Sequence, residues 1–304
     1  MRTPTVALVA VTPSVPAPVT AAAVARPAPA ALTQPTADAP AHVVIISEDG
    51  MRPDVLTVAL APRHVQLMAE GAMARLAQTI PESDTLPSHA SMLSGVGVKR
   101  HGLFWNHLQP DKGYIHVPTV FSAAHAEGLS TAMFVGKPKL RHIASPGTVD
   151  HYERPGYFCA IVVKHASAYW ATTQPDLMFV HFSDPDEFGH SDGWMSAAYT
   201  QAVTASDDCL ATMLDAIDHS PAAASTLVIV TADHGGHGKH HSGGHDEVDR
   251  QIPWIARGPG LAPGTILDER IDTVDTAATT LAALGLPALP NMVGAARLTF
   301  KPSR

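Results

Sequence analysis

The sequence predicts an α/β domain in which a mostly parallel central sheet is sandwiched between helices. Three observations lead there. From Ala41 onward, short runs rich in Val, Ile, Phe or Met alternate with longer helical patterns. The runs are nearly continuous in apolar character, as strands buried on both faces must be. Polar clusters follow the ends of these runs, where ligands bind in open α/β sheets. At 304 residues the chain is long enough to bury a substantial core without help from metals or oligomerisation.

Taken in order, residues 1–40 are rich in Ala, Pro, Val and Thr and lack helical or strand periodicity, so they form a leader outside the fold. The apolar stretch 6–11 and the triplet Ala23-Val24-Ala25 read as a secretory signal with its cleavage site, which makes export the expectation. Pro13, Pro16 and Pro18 interrupt that stretch, and a plain disordered leader is the alternative. The catalytic domain is then 41–304. Its expected strands are 42–47, 131–135, 177–182, 227–231 and 252–256. Its expected helices are 54–78, 117–127, 158–171, 194–217 and 273–284, with Gly128 and Gly285 as stops after the second and the last. No run of eighteen apolar residues follows the leader, so no membrane span is expected.

The formal net charge is −8 and no run of Lys or Arg occurs, which argues against duplex nucleic acid or an anionic membrane as partner. A small anionic substrate would need local positive charge, such as bound metal ions. Eighteen histidines stand against twenty Lys and Arg, and several crowd between His234 and His245, a bias that suits metal ligation. Cys159 and Cys209 lie on separate predicted helices without any zinc spacing, so they are not expected as ligands, and their pairing is not readable.

Asp233-His234 is the most specific local signal, because the buried run ending at Thr231 delivers a carboxylate and an imidazole together to one edge of the sheet. Asp186 and His190 are four apart and share a face if the chain turns helically after Pro185. Asp49 ends the first strand before Gly50, where the chain must turn sharply. His245, in a loop with Gly243 and Gly244, competes with His237, His240 and His241 as a further ligand. Thr85 stands where a loop enters a helix, a place that welcomes a phosphoryl group but also a simple cap.

In that order along the chain, I-I-S-E-D-G-M-R-P-D from Ile45, T-L-P-S-H-A-S-M-L-S-G from Thr85, H-G-L-F-W-N from His101, D-P-D-E-F-G-H from Asp184, T-A-D-H-G from Thr231 and G-G-H-D-E from Gly243 resemble the alkaline phosphatase superfamily. The resemblance is to its type I phosphodiesterase and nucleotide pyrophosphatase branch; set against that branch the chain is short, and little or no cap domain is expected. It implies that Asp49, Thr85, Asp233 and His234 bind one divalent ion and Asp186, His190 and His245 a second. It also implies that Thr85 is the nucleophile and that Asn106 helps hold a non-bridging phosphate oxygen. Zinc is favoured by the mixed imidazole and carboxylate donors, and manganese or iron accept the same set.

The expected function is therefore hydrolysis of a small phosphodiester or nucleotide pyrophosphate through a covalent phospho-threonine. Lys137 and Lys139 resemble a pair that grips the substrate carboxylate in phosphonoacetate hydrolases, which makes a phosphonate or phosphomonoester hydrolase the alternative; a phosphoryl-group transferase ranks below both. Sulfatases of the same superfamily carry C/S-x-P-x-R, whereas Thr85-Leu86-Pro87-Ser88-His89 has neither Cys or Ser at the first position nor Arg at the fifth.

Overall fold

The structure, a computed structural model, describes residues 37–241 and 246–301. Most of the leader and His245 lie outside them. In chain order the strands are β1 (Ala37–Asp38), β2 (His42–Glu48), β3 (Ala72–Ala74), β4 (Ala77–Gln78), β5 (Thr131–Val135), β6 (His151–Glu153), β7 (Leu177–Phe182), β8 (Thr226–Thr231), β9 (Gln251–Ile252), β10 (Trp254–Arg257), β11 (Thr265–Leu267), β12 (Ile271–Asp272) and β13 (Phe300–Lys301). The helices are α1 (Pro62–Glu70), α2 (Thr85–Ser94), α3 (Val98–His101), α4 (Val120–Ala126), α5 (Cys159–Thr173), α6 (Asp184–Asp192), α7 (Ala197–Asp218), α8 (Glu247–Arg250) and α9 (Asp275–Ala283).

Eight strands form the main sheet in the order β11-β3-β10-β8-β2-β7-β5-β6. From β8 through β6 every pair is parallel, and β10 runs antiparallel to both β8 and β3. The strands at the centre are buried on both faces, which is why β2, β7 and β8 read as unbroken apolar runs. Alternate residues of β2 serve opposite sides. Val43 and Ile45 join the core packed with Leu86, Phe121 and Leu281 of α2, α4 and α9, while Val44 and Ile46 join the core packed with Leu67, Val162 and Leu210 of α1, α5 and α7. A helical layer therefore covers each face.

The main departure from expectation is the segment 54–78. Its Ala, Leu and Met content favours a helix, but the helix is confined to α1, and the residues just beyond it pair in the sheet as β3 between β10 and β11. Pro62 sets the start, and Gly71 passes so close to β10 that a Cβ there would lie 2.1 Å from the Ala256 carbonyl oxygen. Strand pairing outweighs helix propensity at that crossing. The expected strand 252–256 is divided at Pro253 into β9 and β10, since proline has no N–H for a ladder. Ala37 and Asp38, inside the range assigned to the leader, pair in parallel with Phe300 and Lys301.

Cys159 and Cys209 form a disulfide that ties the start of α5 to α7, with Cα atoms 6.1 Å apart at a sequence separation of 50. Among the described residues no helix is long and apolar enough to cross a membrane.

Candidate metal centre

The site forms at the carboxyl ends of β2, β7 and β8. β2 ends at Glu48, and the chain then turns at Gly50, whose φ of 71° suits glycine. A Cβ on Gly50 would lie 2.9 Å from Asp186 Cα, so the turn also lets α6 close onto Asp49. The Asp186 N–H donates to the Asp49 carbonyl at 3.0 Å, and the Gly50 N–H donates to Asp233 Oδ1 at 3.2 Å. The three acidic residues are thus fixed to one another through backbone.

Thr85 is the first residue of α2, a helix buried along its whole length, and its hydroxyl lies 3.5 Å from Asp49 Oδ1. Ser88, one turn on, donates to the Asp233 carbonyl at 2.8 Å and locks α2 against the end of β8. His234 Nε2 lies 3.3 Å from Asp49 Oδ1, 3.4 Å from Asp233 Oδ2 and 3.7 Å from Asp186 Oδ1. His190, one turn along α6 from Asp186, approaches its Oδ1 at 3.3 Å. His241 completes this side: its Nε2 is 3.7 Å from Asp186 Oδ1 and 3.1 Å from His190 Nε2, and its ring stacks on His234 at 3.6 Å. Of the four histidines that compete for this place in the sequence, His241 is the one the described structure puts beside Asp186 and His190, and His245 lies outside the described residues.

The donor set fits cations. Ligand atoms of Asp49, Asp186 and His234 gather within 4.8 Å of one another, as do those of Asp186, His190 and His241. Asp186 Oδ1, Asp233 Oδ2 and His234 Nε2 are buried with no hydrogen-bond partner, a costly arrangement for a site that holds no ion. Nitrogen and carboxylate oxygen are the donors that zinc, manganese and iron accept.

Electrostatics at the centre are set by competition between burial and charge. Burial raises the Asp49 carboxyl, but the Lys137 ammonium, the bond from His181 and the nearby His234 imidazole overrule it and hold Asp49 well below the usual carboxylate range. Asp186 is treated alike: burial opposes ionisation, and Lys137 dominates and lowers it. Asp233 goes up, through burial and the Asp49 charge. Burial disfavours the charged His234 imidazole, yet Asp233 and Asp49 lift it to about 9. His241 falls to about 3 through burial and the positive His234 ring over it.

The two lysines fare differently. Lys137 is drawn inward, with its Nζ 2.8 Å from Asp49 Oδ2 and paired with Asp186 Oδ2 as well. Lys139 donates to Asn106 Oδ1 at 3.0 Å, and the same oxygen accepts the Leu86 N–H at 3.0 Å. Asn106 is thereby seated over the first turn of α2, with its Nδ2 toward Asp84 Oδ1 at 3.4 Å.

Sequence reasoning missed the buried support beneath these residues. His181 on β7 lies 2.9 Å from Asp49 Oδ2, and His89 on α2 lies 2.8 Å from the Thr85 carbonyl and from Ser47 Oγ. A histidine inside an otherwise apolar strand was the available signal for His181. Glu48 is wholly buried, with His64 Nε2 at 2.6 Å and the Ser206 hydroxyl donating to it at 2.6 Å. His64 also meets Asp207 at 2.6 Å, so the strand end that carries Asp49 is moored to α1 and α7.

This fold and this centre define a class, and the comparisons name it. The profile of the type I phosphodiesterase/nucleotide pyrophosphatase family matches residues 43–241, and the chain belongs to that family. Among curated relatives it is similar to ectonucleotide pyrophosphatase/phosphodiesterase family member 3 of Mus musculus, 23% identical over 218 residues, which cover 64% of this chain and 24% of the relative. It is also similar to the 2,3-bisphosphoglycerate-independent phosphoglycerate mutase of Ruegeria pomeroyi, 29% identical over 209 residues, covering 67% of this chain and 38% of that one. The chain thus spans about a quarter of the length of the first of these relatives. Murine ectonucleotide pyrophosphatase/phosphodiesterase 5 has the same fold at a TM-score of 0.68 and 15% identity, over 82% of this chain and 96% of that one. A phosphonate monoester hydrolase from Silicibacter pomeroyi has it at 0.65 and 16%, over 84% and 75%.

Proposed function

We propose that the protein is a metal-dependent phosphohydrolase that attacks phosphodiester or nucleotide pyrophosphate bonds with Thr85. The observation that carries this reading is the Thr85 hydroxyl at the N-terminus of a buried helix, beside Asp49 and next to a set of unpartnered carboxylate and imidazole atoms. Asp49, Thr85, Asp233 and His234 would hold one ion, and Asp186 and His190 the other, with His241 or His245 as third ligand. Two divalent ions, for which these donors favour zinc, supply a lowered pKa for the Thr85 hydroxyl and charge stabilisation at the departing oxygen.

The chain's own residues do the rest. Thr85 Oγ1 forms a bond to phosphorus as the bond to the leaving oxygen breaks; the threonine proton passes to solvent water and the leaving oxygen takes one up from solvent. The Thr85 N–H and the positive end of the α2 dipole face the phosphoryl oxygens, since the Leu86 N–H is taken by Asn106 and Pro87 has none. Asn106, seated over that turn, has Nδ2 as its donor for a non-bridging oxygen. A water oxygen then bonds to phosphorus and gives up a proton, the P–Oγ1 bond breaks, and Thr85 Oγ1 takes up a proton in exchange. Lys137 fixes the negative charge of Asp49 and Asp186 between the two ligand sets.

A phosphonate or phosphomonoester substrate is the second reading. Lys139 at Asn106 favours it, because an ammonium there can meet a substrate carboxylate. The disulfide supports export, since such bonds persist in oxidising compartments.

Turnover of bis-p-nitrophenyl phosphate, p-nitrophenyl phosphate and phosphonoacetate ranks the substrates. Thr85→Ala is expected to lower turnover of the best one by about a thousandfold or more. Activity that survives this change overturns the mechanism.

A further inference from the structure

Outside the centre, a second group of ligand-type side chains lies just after the Asp233-His234-Gly235 turn and at the start of α8. We propose that His237, Asp246 and Asp249 bind an additional divalent transition-metal cation, which clamps the segment that carries His241 to the start of α8. Their ligand atoms lie within 4.8 Å of one another. His237 Nδ1 is 2.7 Å from Asp249 Oδ1, and His237 Nε2 is 3.1 Å from Asp246 Oδ2.

Two carboxylates and an imidazole in contact are not by themselves a site. The independent observation is Asp249, whose side chain is only 1% exposed. Its Oδ2 is buried with no hydrogen-bond partner. The neighbouring cation does not satisfy it: Arg52 donates to Asp54 and to the Gly236 carbonyl. An unpartnered carboxylate oxygen at such a depth is costly, and a cation shared with His237 and Asp246 removes that cost. One imidazole with two carboxylates selects zinc or manganese over calcium, which prefers six or more oxygens. His237 and Asp246 are partly exposed, so water can complete the coordination.

The backbone shows what the clamp would hold. The Gly235 N–H donates to the Asp249 carbonyl at 2.9 Å, so Asp249 is fixed directly to the Asp233-His234-Gly235 turn. His237 and His240 bond each other through both backbone N–H groups, at 2.9 and 3.0 Å. Joining His237 to Asp246 would restrict the segment from which His241 reaches Asp186. This site does not depend on the catalytic reading of Thr85.

The test is a metal count on the full chain. Wild type, the double variant His237→Ala/Asp246→Ala and the single variant Asp249→Asn are dialysed to equilibrium against Zn2+ and measured by plasma mass spectrometry. The double variant removes only partly exposed side chains, so loss of fold does not confuse the outcome. One equivalent fewer in the double variant than in wild type supports the proposal. An equal count overturns it. Trypsin cleavage at the exposed Lys239 reads the clamp separately: in the presence of Zn2+ it should be at least tenfold slower in wild type than in the double variant. Equal protection in both removes the clamping role. A failed Thr85→Ala test would leave the difference in zinc count standing, so the two ideas fail separately.

Discussion

His64 gives the sharpest link between a buried network and a measurable quantity. Its imidazole has no solvent exposure and lies 2.6 Å from both Glu48 and Asp207. Burial alone would depress it, but the two carboxylates lift it from 6.5 to about 9. A rise of that size corresponds to about 3 kcal/mol of preference for the protonated form in the folded state. The sign follows from the folded value lying above the unfolded one. The contribution is fully present below pH 6.5 and is lost as pH climbs toward about 9. Other histidines also titrate there, so the perturbation is His64→Gln and the quantity is a difference of differences. Urea unfolding of the zinc-loaded protein at pH 6 and pH 9 should show wild type losing about 3 kcal/mol more than the variant over that interval. At pH 6 the variant should itself be less stable by about 3 to 5 kcal/mol, because it leaves two buried carboxylates without their cation. Equal pH dependence in the two proteins would refute the claim that a charged His64 joins β2 to α1 and α7.

Three further outcomes are expected. Gly50→Ala forces a side chain into a left-handed turn and against the Asp186 backbone, so it should cost about 1 to 3 kcal/mol in thermal unfolding and weaken zinc binding in the same calorimetric titration. A variant with strong zinc affinity and native stability would show that the turn is not under this constraint. His181→Phe removes the imidazole at Asp49 Oδ2 and should lower zinc affinity by about ten- to a hundredfold with the fold kept, as seen by circular dichroism; unchanged affinity would make His181 a packing residue only. Reduction of the Cys159–Cys209 bond releases a fifty-residue loop and should lower stability by about 4 kcal/mol on the chain-entropy account, read as a shift in urea midpoint between Cys209→Ser and wild type.

The fold was legible wherever burial on both faces produced an unbroken apolar run. β5 and β7 have the expected bounds, and β2 and β8 differ by one residue, because neither depends on what pairs with them. The stretch after Pro53 was not legible for the opposite reason. Its helix-favouring residues are overruled by β10, a partner nearly two hundred residues away in sequence. At the centre, side chains delivered by strand ends could be named in advance, since a strand end fixes both position and direction. The histidine loop could not be resolved that way: His237, His240 and His241 differ by a few residues, and only tertiary contact separates the one beside Asp186 from the others. Buried support such as Glu48 with His64 and Asp207 joins three elements and leaves no local pattern to read.

The geometry also bears on how the two halves of the centre depend on each other. Asp49 comes from β2 and Asp186 from α6, yet they are joined by a backbone hydrogen bond, by Lys137 between their carboxylates and by the close approach at Gly50. A shift of the β2 end or of α6 therefore moves donors of both ligand groups at once. Thr85 is tied into the same frame through Ser88 on the Asp233 carbonyl and His89 on its own carbonyl. Rigid support of this kind matters for attack on phosphorus, because a displacement of about 1 Å in the nucleophile can cost about a hundredfold in rate. On the proposed mechanism, in which one hydroxyl reacts, that is the physical reason for so many buried polar side chains beneath the site.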